Sequence, residues 1–240
     1  MSNPNLRRSV STGNLPVRYS EDWRAPFDAR LQSALIAGCE ILDVGAGRRP
    51  TIPVSRRPPG CVYVGLDLAA AELDKAPPGS YDETHVADLA LRVPLLQDRF
   101  DLVVSWEVFE HVKALDVAVE NLRSYLRPGG RLVAHMSGRF SLFATVNRLL
   151  PYSVGAWAML HLLKRARETV FPAYYDHGWH QALQRMLAPW SEFEVLPQYR
   201  GADYLSFCPV LQSLYLVYEN WACRRGRSDL ATHYLVTAVR

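Results

Sequence analysis

The chain has 240 residues, 49% of them hydrophobic and 21% charged, with a formal net charge of +3. That much apolar material buries a full core, and a single α/β domain of this length is ordinary. The small positive charge, with Lys and Arg spread along the chain, excludes the electrostatic footprint of a dedicated nucleic-acid binder.

Residues 1–18 are rich in Ser, Asn, Pro and Arg without apolar periodicity, which predicts a flexible tail ahead of a single domain over 19–240. Arg7 and Arg8 have no apolar run behind them, so no signal peptide is expected. The four cysteines, Cys39, Cys61, Cys208 and Cys223, lack Cys-x-x-Cys spacing. Both features point to a reducing, cytoplasmic setting. Cys39 and Cys61 at strand entries read as buried structural thiols without chemistry.

Trp23, Phe27, Leu31 and Leu35 recur every four residues and predict a helix with one apolar stripe. Strands follow at Ile41–Val44, Val62–Asp67, His85–Asp88 and Phe100–Ser105. Between Val112 and Arg127 the apolar spacing is helical, and Pro128-Gly129-Gly130 stops it before a strand over Arg131–Met136. Strands alternating with crossovers imply a parallel sheet covered on both faces, here a donor-binding half over 39–137. A substrate-capping insertion is expected over 138–190, containing the largely uncharged stretch Leu149–Leu163 and the basic Lys164, Arg165 and Arg167. The stretch is too short and interrupted to span a bilayer, so it reads as a lid over an apolar acceptor, with peripheral membrane contact through 149–167 as the lesser alternative. Phe193–Gln198, Leu211–Arg225 and His233–Val239 complete the C-terminal part, 191–240, as strand, helix and strand.

The chemistry concentrates where the first strand ends. Asp43 is followed by Gly45-Ala46-Gly47 and Arg48, the turn by which α/β proteins expose backbone to a nucleotide-like ligand. A dinucleotide site needs a third glycine and a helix N-terminus for its pyrophosphate. This chain has Pro50 there, with Pro53, Pro58 and Pro59 behind it, so several amide donors are missing and an uninterrupted helix is excluded. S-adenosylmethionine carries a sulfonium and an amino acid in place of phosphates and asks only for backbone room. Asp67, at the end of the second strand, stands where a carboxylate accepts ribose hydroxyls, with Leu68 beside it. Asp88 can accept from an adenine amino group while Leu89 packs on the ring.

With these segments in place, the chain resembles a class I S-adenosylmethionine-dependent methyltransferase. Ile41 to Gly47 is similar to the family's first motif, Tyr63 to Asp67 to the second and Ala87-Asp88-Leu89 to the third. Phe100 to Ser105 and Leu126 to Leu132 are similar to the fourth strand and the turn before the fifth. The resemblance implies a doubly wound, Rossmann-like seven-stranded sheet, mostly parallel with an antiparallel last strand. It also implies S-adenosyl-L-methionine as cofactor and a small-molecule acceptor. Ser105 and Trp106 then face the donor's methionine end.

After Ser105 comes Trp106-Glu107-Val108-Phe109-Glu110-His111. The Glu-x-x-Glu-His spacing is similar to that of quinone-pathway O-methyltransferases, where such side chains can bind a divalent cation, but metal-independent members carry it too, and no metal is assigned here. Glu107, Glu110 and His111 are the candidate catalytic residues, with His111 as general base. Tyr174, Tyr175, Asp176, His177 and His180 can line the acceptor pocket or form a surface turn. Arg48, Arg49, Arg56 and Arg57 make a cationic loop that either pairs with an anion or stays solvated. Ser105-Trp106-Glu107-Val108 lacks the Asn/Asp-Pro-Pro-Tyr/Phe clamp of nucleic-acid amino methyltransferases. A non-catalytic donor-binding partner subunit is the alternative to an enzyme. Oligomeric state is open at this stage.

Overall fold

The computed structural model describes residues 15–141, 144–145 and 172–240. Seven strands form one sheet: β1 (Glu40–Val44), β2 (Val62–Asp67), β3 (Glu83–Val86), β4 (Phe100–Trp106), β5 (Leu126–Ser137), β6 (Glu192–Gln198) and β7 (His233–Val239), in the order β3-β2-β1-β4-β5-β7-β6. The pairs β1–β2, β1–β4, β2–β3 and β4–β5 are parallel, and β7 runs antiparallel to both β5 and β6. The doubly wound sheet with its reversed last strand is therefore present as expected.

The order reverses between β1 and β4, and in such sheets the crevice at the carboxyl ends of those strands is where ligands bind. Leu42, Val44, Leu102, Val103 and Val104 are fully buried, as continuous apolar strands of a covered parallel sheet should be. Helix α1 (Ala25–Ala34), opened by Pro26 in its first turn, buries Phe27 and Leu31 against Ile41, Val104 and Leu235 on one face. On the other face α3 (Leu115–Tyr125) buries Leu115, Ala118, Val119, Leu122 and Tyr125, and α4 (His180–Leu187) adds Leu183 and Leu187. The short α2 (Ala70–Leu73) follows β2, and α5 (Pro209–Arg224) precedes β7.

Three boundaries differ in ways that bear on the site. β3 lies two residues earlier than His85–Asp88, which places Asp88 in the turn beyond it, its Oδ1 accepting from the Ala90 N–H at 2.9 Å. β5 begins at Leu126 and runs through the Pro-Gly-Gly segment, with a register shift opposite Phe100/Leu102. The expected tail reaches into the fold: Arg18 donates to the Tyr199 carbonyl at 2.7 Å and to Glu219 at 2.8 Å, so the chain is anchored before Tyr19. Between β1 and β2 there is a single turn, Val54–Arg56, and no α-helix, as the prolines require. The expected lid over Leu149–Leu163 and the basic residues 164–167 lie outside the described residues. No described helix is long and apolar enough to cross a membrane.

Helix α5 inverts the usual pattern. Gln212 and Glu219 face inward, while Val210, Leu214, Val217 and Trp221 are exposed. Glu219 repays its burial by accepting from Arg18, Tyr19 and the Gly201 N–H.

Candidate active site

The glycine turn is built by a glycine-only conformation and by clamps. Gly45 has φ +67°, and a Cβ there would meet Val108 Cγ2 at 2.2 Å, so only glycine lets the turn lie against the segment after β4. Asp43, expected to touch the donor, is fully buried and acts on the turn instead. Its Oδ2 accepts from the Tyr63 hydroxyl at 2.6 Å and from the Thr51 N–H at 2.7 Å. Burial pushes its carboxyl up to about 6, opposed by those hydrogen bonds. Tyr63 also accepts from the Ile52 N–H at 3.0 Å, and the Tyr81 hydroxyl donates to the carbonyls of Ala46 and Gly47, both at 3.0 Å. Gly65 makes room for that tyrosine: a Cβ there would sit 2.9 Å from the ring. Tyr63, Tyr81 and Thr51 were not singled out in the sequence, because their part depends on strand pairing.

At the mouth of the turn Asp67 is half-buried. Its Oδ1 accepts from the Ala69 N–H at 2.9 Å, its Oδ2 would lie 3.5 Å from a Cβ on Gly47, and burial raises its pKa. Leu68 and Asp88 are exposed at the same edge and Leu89 is buried. Ser105, level with Val44 across the β1–β4 pair, is buried with a hydroxyl that has no hydrogen-bond partner. A backbone turn open at its glycines, an accessible carboxylate at the end of β2 and, among the described residues, an unpartnered hydroxyl at the end of β4 fit an adenosyl amino acid.

The cationic loop is mostly paired. Arg48 grips Glu72 at 2.7 and 2.9 Å and lowers that carboxyl to about 2. Arg56 bonds Asp28 at 3.0 Å, and Arg57 lies over the Tyr63 ring and donates to the Ile52 carbonyl. Arg49 is exposed. The guanidinium that does sit beside the turn is Arg24, which sequence reasoning passed over: it donates to the Thr51 carbonyl at 2.7 Å and stacks on Trp106 at 4.5 Å.

The segment after β4 and the segment 172–178 are tied together. The Glu110 carbonyl accepts from the N–H groups of Tyr174 (2.8 Å) and Tyr175 (3.0 Å), and His111 Nδ1 donates to the Pro172 carbonyl at 2.8 Å. A carbonyl only accepts, so Nδ1 carries a proton. Asp176 accepts from the Leu115 N–H at 3.1 Å, capping α3, and from His177 Nδ1 at 2.9 Å. Tyr175 is buried, Tyr174 is exposed with Lys113 over its ring, and His180 opens α4 with its ring 6.4 Å from that of Tyr234. The expected acceptor cluster thus holds the Glu110–His111 turn in place.

Glu107, Glu110 and His111 diverge. Glu107 has φ +57°, an uncommon conformation for a side-chain-bearing residue, and its Oε1 lies 3.6 Å from His135 Nδ1 and 4.0 Å from His233 Nε2. Glu110 is buried beneath Ser137, whose N–H lies 3.4 Å from its Oε1. Among the described residues, the metal-capable atoms that lie within 4.8 Å of one another are those of Asp116, Asp176 and His177, a group explained by the start of α3.

A ring cluster completes the site and was missed in the sequence. Trp106 stacks on His135 (4.3 Å, 16° between planes), His135 on His233 (5.2 Å), and Trp23 stands edge-on to all three. The register explains it: Trp106 faces His135 and Ser137 faces His233, so β4, β5 and β7 deliver the rings to one edge. His135 is buried, and desolvation lowers its pKa to about 4, so it is neutral. The Tyr204 hydroxyl lies 3.1 Å from His233. Next to it Leu205 enters the wall of a cavity of about 570 Å³, lined also by Phe140, Thr145, Leu211, Leu214, Tyr215 and Tyr218.

Comparisons agree with this geometry. A family model described as a methyltransferase domain matches residues 18–190. A ubiquinone biosynthesis O-methyltransferase from Chelativorans sp. is 28% identical over 152 residues, covering 60% of this chain and 52% of the relative. The chain therefore matches about half the length of that relative. Among solved structures, a SAM-dependent methyltransferase from Archaeoglobus fulgidus superposes with a TM-score of 0.56 at 12% identity, covering 90% of this chain and 92% of that one. A Haemonchus contortus phosphoethanolamine N-methyltransferase solved with S-adenosylhomocysteine superposes with a TM-score of 0.52 at 16% identity, covering 90% and 52%. At these identities the superpositions show the fold.

Proposed function

The chain belongs to the methyltransferase domain family, and from that premise we propose that it is an S-adenosylmethionine-dependent methyltransferase that methylates a hydroxyl oxygen of a small, partly apolar acceptor such as a quinone-like phenol. The observation that supports the acceptor class is the cavity lined by Phe140, Leu205, Leu211 and Leu214, where Leu205 directly follows the Tyr204 whose hydroxyl lies 3.1 Å from His233. The O-methyltransferase named among its relatives favours oxygen as the attacking atom.

Bound S-adenosylmethionine supplies a methyl group already activated on a sulfonium. The chain's part is to hold and orient. The backbone of Gly45, Ala46 and Gly47 receives the amino-acid end, and Arg24, stacked on Trp106, pairs with its carboxylate. Asp67 accepts from the ribose hydroxyls, with Leu68 at its side. Asp88 and Leu89 bracket the adenine. Asp43 and Arg48 act behind this surface, through Thr51 and Glu72. In-line alignment of two bound reactants can supply about 7 to 11 kcal/mol of the barrier, so positioning does much of the chemistry. His111 Nε2 takes the acceptor's proton, with the ring held by the Nδ1–H bond to the Pro172 carbonyl. Trp106, Trp23 and the neutral His135 exclude water from the sulfonium side.

Methyl-labelled donor incubated with a panel of phenols, alkanols and amines of increasing apolar length tests the reading. Extractable label on phenols, rising with apolar substituents, is the expected result. Label on amines alone would overturn it.

A further inference from the structure

Cys39 and Cys61 face one another one step before the paired register of β1 and β2, in which Glu40 stands opposite Val62. The ladder continues through them: the Val62 N–H donates to the Cys39 carbonyl at 3.0 Å, and the Gly38 N–H donates to the Pro59 carbonyl at 3.0 Å. Directly paired residues of parallel strands point to the same face from backbones about 4.8 Å apart, inside the Cα range of roughly 4.4–6.8 Å that a disulfide tolerates. Their sulfurs lie 3.0 Å apart as free thiols.

We propose that Cys39 and Cys61 are a disulfide-forming pair, an oxidation site that staples the segment carrying the glycine turn. The two positions are 22 apart in sequence and enclose β1, the turn and the proline-rich run. Cys39 is buried, and burial followed by its contact with Cys61 pushes its thiol up to about 12, whereas Cys61 is half-buried. An oxidant therefore meets Cys61 first. With oxidised glutathione, the Cys61 thiolate attacks one glutathione sulfur, the glutathione S–S bond breaks and one reduced glutathione leaves. Cys39 then gives its proton to solvent and attacks Cys61 Sγ, forming the protein S–S bond and releasing the second glutathione. Two protein thiols lose two electrons and two protons, and one glutathione disulfide becomes two thiols. The pair stands at the amino ends of the strands and the glycine turn at the carboxyl end of β1, so the staple closes behind the site.

The test treats the reduced full chain with oxidised glutathione, quenches with iodoacetamide and maps peptides by mass spectrometry, alongside thermal melting. We expect a Cys39–Cys61 cross-linked peptide and a melting midpoint raised by roughly 5–10 °C, reversed by dithiothreitol. The half-buried position keeps Cys61→Ser folded, and that variant should show neither effect. Cys61 held as a stable glutathione adduct, a cross-link that lowers the midpoint, or the same rise in Cys61→Ser would overturn the proposal.

Discussion

The proposed donor side and the proposed acceptor side of this site are built in opposite ways. The donor turn lies within a short stretch of chain, and its shape is imposed by the positive φ and close approach at Gly45 and by the buried Asp43–Tyr63–Thr51 clamp, all within β1, β2 and the loop between them. The proposed acceptor side is assembled from distant pieces: Trp23 before α1, Trp106 and Glu107 at the end of β4, His111 on the turn that follows, His135 on β5, Tyr204 before α5 and His233 on β7. The donor is common to a whole family, so a compact local device serves it, whereas the acceptor differs between members and is met by side chains that can change one at a time.

The largest effect should come from the acceptor side. His111→Ala is expected to lower turnover by about 100- to 10,000-fold while leaving S-adenosylhomocysteine affinity nearly unchanged. Steady-state rates set beside calorimetry check this. An equal loss of donor affinity and folding stability would make His111 a structural clamp on Pro172 and erase the division between the two sides.

The two sides also carry opposed protonation effects. Asp43 has its pKa raised from 3.8 to about 6. Its contribution to stability is therefore present below the unfolded value and lost as pH rises through the folded one. His135 has its pKa lowered from 6.5 to about 4, so its contribution is present above 6.5 and lost as pH falls toward 4. Each amounts to about 3 kcal/mol, of opposite slope, over nearly the same window. His135→Gln removes one of them: relative to wild type, the variant should gain about 3 kcal/mol at pH 4 over its difference at pH 7 in denaturant titrations. Parallel stability curves for the two proteins would mean that the imidazole is not held neutral.

The same division governs what could be read from the sequence. Val62–Asp67 and His233–Val239 are strands at the expected boundaries because their apolar or alternating patterns are self-contained. β3 slipped by two residues because Glu83-Thr84 on the outermost strand is half-exposed and carries no apolar signal. The turn, Asp67 and the segment 105–111 were legible from spacing. Asp43 belonged to the right turn but faces Tyr63, a partner visible only through the β1–β2 pairing. His135 and His233 look like isolated polar residues in apolar strands until register sets them against Trp106 and Ser137. Arg24 was hidden for the same reason, since it reaches Thr51 from a helix start 27 positions away.

The glycine turn and Asp67 together are the proposed surface for an adenosyl donor. Calorimetric titration of S-adenosylhomocysteine into the wild-type chain and into Asp67→Ala measures that directly. Loss of charge-assisted hydrogen bonds to the ribose should weaken binding by about 10- to 100-fold with the melting temperature of the free protein little changed. Equal affinity in the two proteins, or tighter binding of NAD than of S-adenosylhomocysteine by the wild type, would contradict it.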